Sequence, residues 1–328
     1  MLKRLIASTL LAASALAAPA TAQDLEKVTY LYPAPDFLPA FTPFQIARAK
    51  GYYEEEGLDV DWQVGQGGAD VAKQVAVGNA DLGGAIGDTP IIVRANGLPV
   101  KGVLLLGGSA LTQLVIRDDS GATDMAGLAG KRVGVMAYQD TTYYNFLGAM
   151  AASEMDADSV DVQAVGPAGM VQLMISGDLD AISGTPDWTA SIEAAGVPVT
   201  VLAINDMFPA MAQAVLASDR TVAERPEIVG AFVAATLRGL DDVMTDPAGS
   251  AEVLAAALPQ FEGKAAFLQD VMERYGTLVY ATEAPTQVGA FDPARVQAVA
   301  DFYLANDIVA ETMDIDDYFT NQFIPAAE

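Results

Sequence analysis

Between Gly65 and Pro90 the chain breaks twice in the same way. Gly65-Gln66-Gly67-Gly68-Ala69-Asp70 leads into a helix-like run, and Asp81-Leu82-Gly83-Gly84-Ala85-Ile86-Gly87-Asp88-Thr89-Pro90 leads into another. At each break a strand stops at glycines and a helix begins just beyond. Glycine lets backbone approach a ligand, and a helix start leaves N–H groups pointing outward. Two such mouths within ~25 residues place a binding edge at the carboxyl ends of parallel strands.

The surrounding chain keeps this grammar. Glu26 to Tyr32 alternates and stops at Pro33-Ala34-Pro35-Asp36, which reads as a first strand ending in a rigid loop. Strands then alternate with helices of ~10 residues up to about Ala217, the pattern of parallel-type sheets flanked by helices. Thr89 is expected to cap a helix that has Pro90 at its first position. After Ala217 helix follows helix; Val229, Phe232, Val233, Leu237, Leu240 and Met244 share one stripe at helical spacing and read as core.

One echo points to two lobes built alike. Val60 to Gly65, a helix, then Gly78-Asn79-Ala80-Asp81 matches Val162 to Gly166, a helix, then Gly177-Asp178-Leu179-Asp180. Ordinary βαβ grammar is the alternative source of the match. With 328 residues the chain suits two lobes better than one core.

Charge and composition remove whole classes of function. Lys and Arg number 17 against 43 Asp and Glu, a net charge of −26, so nucleic acid and anionic membranes are poor partners. Residues 1–22 read as a signal peptide: Lys3-Arg4, an apolar Ala-rich run, then Ala20-Thr21-Ala22 before Gln23. The expected location is a bacterial periplasm. Cysteine and histidine are both absent, which excludes disulfides, a cysteine-borne lipid anchor, thiolate metal sites and the commonest general base. Neither a catalytic residue, a metal site nor a cofactor is expected. No Gly-x-Ser-x-Gly, Walker A or complete Gly-x-Gly-x-x-Gly occurs; a secreted enzyme working through paired acids is the alternative of another class.

The loops expected at the cleft carry aromatics (Tyr32, Phe37, Tyr138, Trp188), amides and hydroxyls (Gln66, Thr89, Thr141, Thr142) and acids (Asp36, Asp88, Asp140, Asp187), with no Lys or Arg. Flat rings with convergent acceptors favour a planar ligand that donates hydrogen bonds. Asp88, Asp140 and Asp187 also precede helix starts, where an aspartate serves equally as a cap. An anion held by helix N-termini alone stays open.

Ala47-Arg48-Ala49-Lys50-Gly51-Tyr52-Tyr53-Glu54-Glu55-Glu56-Gly57-Leu58-Asp59-Val60 resembles a signature of ABC-transporter substrate-binding proteins. The group covers nitrate, sulfonate and taurine binders and binders of thiamine pyrimidine precursors. The resemblance continues through Val77-Gly78-Asn79-Ala80-Asp81-Leu82-Gly83, Gly97-Leu98-Pro99-Val100 and Leu128 to Val135, and spans roughly Val28 to Ala195. It implies a bilobal type II periplasmic-binding-protein fold that closes on a small molecule and docks, as a monomer, to a membrane permease. Residues 23–106 and 205–328 would form lobe 1 and residues 107–204 lobe 2. Hinges would lie at Gly107-Gly108-Ser109 and Ala203-Ile204-Asn205.

Carried onto this chain, the resemblance places the ligand at Pro35, Asp36, Phe37, Gln66, Gly67, Gly68, Asp88, Thr89, Tyr138, Asp140, Thr141, Thr142, Tyr143, Asp187 and Trp188. It leaves an aminopyrimidine-like ligand and a taurine-like sulfonate or nitrate as alternatives. The fungal pyrimidine synthases similar to these binders use a histidine and a cysteine-rich motif, and this chain holds neither residue.

Overall fold

The computed structural model describes residues 25–283 and 286–326; the expected signal peptide over residues 1–22 lies outside the described residues. The chain opens with β1 (Glu26–Tyr32), α1 (Thr42–Ala49), α2 (Tyr52–Glu55), β2 (Leu58–Val64), α3 (Gly68–Val77), β3 (Leu82–Ile86), α4 (Thr89–Arg94) and β4 (Val100–Leu105). It continues with β5 (Gln113–Arg117), β6 (Arg132–Val135), α5 (Thr141–Ala152), β7 (Asp161–Ala164), α6 (Gly166–Ser176), β8 (Ala181–Gly184), α7 (Pro186–Ala194) and β9 (Val199–Ala203). It ends with β10 (Gln213–Ser218), α8 (Asp219–Glu224), α9 (Pro226–Thr245), α10 (Pro247–Ala257), α11 (Ala265–Tyr275), α12 (Pro293–Ala305) and α13 (Ile315–Tyr318).

The strands form two five-stranded sheets in the orders β2-β1-β3-β10-β4 and β7-β6-β8-β5-β9. The two orders match position for position. In each sheet three strands pair in parallel, and the strand next to the edge, β10 or β5, runs antiparallel to both its neighbours. The sheets are therefore mixed rather than purely parallel, and chain direction explains it. β4 and β9 end at the edge facing the other sheet, and the chain crosses there directly to β5 and β10. A strand entered from that edge has to run away from it.

The repeated Gly-x-x-Asp does the same work in each sheet. Asp81 Oδ2 accepts the Thr29 N–H of β1 at 2.9 Å, and Asp180 Oδ2 accepts the Arg132 N–H of β6 at 2.9 Å. Each carboxylate also pairs with an arginine, Arg225 for Asp81 and Arg132 for Asp180. Both glycines, Gly78 (φ +82°) and Gly177 (φ +81°), close a helix in the left-handed region.

Under the first sheet lies an aromatic cluster of Tyr30, Tyr32, Phe44, Tyr53 and Phe232, all buried, with Tyr30 stacked on Phe232 at 5.0 Å between ring centroids. Each such side chain contributes roughly 1.5–3 kcal/mol on burial. The helices after β10 reach both sheets. Helix α9 packs on α1, while α11 packs on α7, where Arg274 meets Glu193 at 2.8 Å. A π turn at Gly276–Tyr280 follows α11 and brings the Tyr280 ring to 5.4 Å from that of Tyr275.

The α1–α9 contact is close enough to test. A methyl group on Gly239 would strike the Pro43 carbonyl and lie 2.9 Å from Ala47 Cβ, whereas one on Gly230 of the same helix meets only Phe323 at 3.8 Å. Urea denaturation should show Gly239→Ala destabilised by about 1–2 kcal/mol through overpacking. Gly230→Ala should gain up to about 1 kcal/mol from helix propensity. Equal effects at the two positions would contradict the packing described.

Candidate functional site

A cavity lies where the carboxyl ends of the parallel strands of one sheet face those of the other. Its walls are the loop after β1 (Pro33, Ala34, Leu38, Ala40, Phe41), the start of α3 (Gly68), the end of β3 (Ala85, Ile86), and Leu111 and Gln213 at the starts of the antiparallel strands. Met136, Asp140, Thr141, Thr142, Thr185, Asp187 and Trp188 come from the second sheet. The free space for water-sized molecules is about 50 Å³. Pro33 stiffens the exit from β1, and Gln45 Nε2 donates to the carbonyls of Asp36 (2.6 Å) and Leu38 (3.0 Å), which pins the loop over the cavity.

Asp140 ties the two sides together. Its Oδ1 accepts the Thr142 N–H at 3.0 Å and caps α5, while Oδ2 accepts the Gly68 N–H at the start of α3, 3.2 Å away. Two more bonds cross beside it: the Ala69 N–H donates to the Gln139 carbonyl at 3.1 Å, and the hydroxyls of Thr89 and Thr141 meet at 2.8 Å. A Cβ on Gly68 would lie 2.5 Å from Thr141 Oγ1, so this approach requires glycine.

Asp187 is buried in the first turn of α7. Thr185 Oγ1 (2.6 Å) and the Tyr275 hydroxyl (2.8 Å) both donate to its Oδ1, leaving Oδ2 with no side-chain donor among the described residues. Gln213 is 2% exposed, and its Oε1 has no hydrogen-bond partner among the described residues. Such an acceptor costs about 1–3 kcal/mol while unpaired. Burial pushes the carboxyls of Asp88, Asp140 and Asp187 above the ordinary range, partly offset by their hydrogen-bond donors. No lysine or arginine lines the cavity.

Of the residues expected from the sequence, the structure brings Gly68, Asp140, Thr141, Thr142, Asp187 and Trp188 to this cavity. Gly67, with φ +99°, packs its backbone against Gln139 and Asp140. Pro35 and Phe37 line an outer recess beside it, and Asp36 pairs with Arg48 at 3.6 Å. Gln66 lies in a separate polar groove with Asp70. Tyr138 is exposed, with its hydroxyl on the Val162 carbonyl (3.1 Å) and its ring 5.3 Å from that of Tyr143.

Asp88 lies beneath the cleft and accepts from Asn145 Nδ2 (2.7 Å), the Tyr303 hydroxyl (2.7 Å) and the Met211 N–H (2.8 Å). Thr89 is the first residue of α4 rather than its cap; its hydroxyl is engaged by Thr141, and the Asp88 carboxylate is turned to the three donors just named. Sequence reasoning placed the loop from Tyr32 to Phe37 at the cleft but left out Gln213, Leu111, Met136 and the Leu38–Phe41 wall. Only the glutamine opening an otherwise apolar strand was a usable signal. Among the described residues, no group of three or more acids is placed to hold a metal.

Matched mixed sheets joined by two crossovers, with a mostly apolar cavity carrying a few polar groups between them, define the bilobal class of periplasmic binding proteins. The alkanesulfonate-binding protein SsuA from Xanthomonas axonopodis pv. citri, solved with MOPS, superposes with a TM-score of 0.72 at 18% identity, covering 90% of this chain and 98% of that one. Residues 38–250 match the family described as NMT1/THI5 like, and the chain belongs to it. The riboflavin-binding protein RibY of Chloroflexus aurantiacus is 26% identical over 320 residues, 96% of this chain and 90% of RibY. The 4-amino-5-hydroxymethyl-2-methylpyrimidine phosphate synthase of Aspergillus parasiticus is 27% identical over 235 residues, 65% of this chain and 66% of the synthase. The relatives thus include binding proteins by name as well as a synthase.

The raised carboxyl of Asp187 makes a signed prediction. Its folded value lies above the ordinary 3.8, so its contribution to stability is lost as pH rises from there through the folded value. Asparagine keeps an Oδ1 for Thr185 and Tyr275 and removes the buried charge. Urea midpoints should therefore show Asp187→Asn gaining on the unaltered protein as the pH is raised above about 4. A difference that does not change with pH would show that the carboxylate is not desolvated as described.

Proposed function

We propose that this chain is the extracytoplasmic substrate-binding component of an ABC importer, and that it takes up a small planar nitrogen-rich compound of the aminopyrimidine kind. The ligand is gripped between two lobes, residues 23–106 with 205–328 and residues 107–204. They swing on the crossovers near Gly107–Ser109 and Ala203–Asn205. The protein works as a monomer in the periplasm and passes the compound, unaltered, to a membrane permease.

The observation that carries the reading is a mostly apolar cavity whose few polar groups include acceptors and no cation. Gln213 Oε1 and Asp187 Oδ2 wait there without side-chain donors, and neither lysine nor arginine is present to balance an anion. Ring N–H and amino groups supply what those oxygens lack, and Trp188 and Phe41 offer flat or apolar faces to a ring.

The sulfonate alternative relied on N–H groups at helix starts and on Thr89, Thr141 and Thr142. Several of those groups are already engaged: Asp140 takes the N–H of Gly68 and of Thr142, and one of the Thr89 and Thr141 hydroxyls donates to the other. In effect the chain supplies its own anion at these helix ends. Riboflavin and the pyrimidine named for the synthase are likewise flat nitrogen heterocycles. The absence of His and Cys supports release without chemical change.

A thermal-shift screen against aminopyrimidines, riboflavin, taurine, alkanesulfonates and nitrate tests the proposal. Ligand at about 100 times its Kd adds about 2.7 kcal/mol to stability. Heterocycles should raise the melting point, and Gln213→Leu should weaken the best of them at least about tenfold. A shift with sulfonates or nitrate alone would overturn the ligand class.

A further inference from the structure

The cavity is too small for the ligand assigned to it, and the structure provides the missing room next door. An apolar ring such as benzene occupies an engineered cavity of about 150 Å³, against about 50 Å³ here. Immediately outside lies a recess of about 510 Å³ that shares Leu38, Asp187 and Trp188 with the cavity. Three separate parts of the chain build it: Phe37 and Pro39 after β1, Val171 on α6, and Phe261, Lys264 and Phe267 around the start of α11.

We infer that this recess is the second compartment of the binding site. It takes the apolar body of an extended nitrogen heterocycle whose hydrogen-bonding head enters the inner cavity beside Asp187. This rests on the ligand class proposed above and narrows it to heterocycles with a substituent several atoms long. The occupant is argued from continuity, because Trp188 and Asp187 wall both spaces and one molecule can touch both.

Lys264 tells which end faces out. It is exposed, and no carboxylate pairs with it among the described residues, although the chain carries 43 acids against 17 bases. An uncompensated ammonium at the mouth suits a substituent ending in an acceptor or an anion, while the acids stay at the head. The two-ended arrangement would discriminate against compounds that are anionic at the ring and against rings that lack a tail.

Calorimetry on the full mature chain can separate the two levels of the claim. The probes are 4-amino-5-hydroxymethyl-2-methylpyrimidine as a short ring, and riboflavin and flavin mononucleotide as extended ones. The extended compounds should bind more tightly than the short ring by at least about tenfold. Phe267→Ala should remove most of that advantage. Lys264→Met, an exposed change that spares the core, should weaken flavin mononucleotide more than riboflavin.

If short and extended rings bind equally and neither variant alters the ratio, the second compartment is wrong while the ligand class stands. If none of the three heterocycles binds, the ligand class falls and the compartment falls with it.

Discussion

A buried carboxylate bonded across the cleft is the interaction on which the approach of the two sheets depends. Asp140 caps α5, the helix that follows β6 of one sheet, and accepts an N–H from the first turn of α3, a helix flanking the other. Burying a charge is costly unless it is well paired. Two backbone donors at helix starts and the Thr142 hydroxyl, 2.5 Å from Oδ1, offset that cost. The bond also gives the two halves a reason to meet in one register, since Gly67 and Gly68 leave no room for a side chain between them and the Asp140 loop.

The same balance, left incomplete, describes the cavity. Asp187 receives both of its side-chain donors on one oxygen, and Gln213 Oε1 receives none. These groups are held in place by distant parts of the chain: Tyr275 steadies Asp187, and Tyr303 with Asn145 secures Asp88 beneath. The C-terminal helices thus act as more than a cover for the first sheet. They hold two of the three buried acids, so the stability of the tail and the polarity of the cleft are coupled. A site kept under-satisfied in this way trades stability for binding.

Much of this was legible in the sequence, and for local reasons. The strand–glycine–helix breaks, the Gly-x-x-Asp echo and the cleft position of Gly68, Asp140 to Thr142, Asp187 and Trp188 depend on short-range turn chemistry and strand ends. What the sequence did not disclose depends on contacts between distant segments. Asp88 looks like any aspartate before a helix until Asn145, Met211 and Tyr303 converge on it from 57, 123 and 215 residues away. Gln66 sits one residue from Gly67 yet lines a different groove, with Gln63, Asp70 and Gln74. The antiparallel strand in each sheet follows from where the chain crosses, which no window of periodicity records.

The central claim is that the cavity's buried acceptors lack side-chain donors, and Asp187 reports on it directly. Carbon-13 NMR of the Asp187 carboxyl, titrated with and without a bound aminopyrimidine or riboflavin, measures the energy of that carboxylate in each state. A donor placed on Oδ2 favours the charged form, so the raised value of the free protein should fall on binding. A value that stays or climbs when ligand binds would mean that the cleft receives an anion or an apolar group, and would contradict the account.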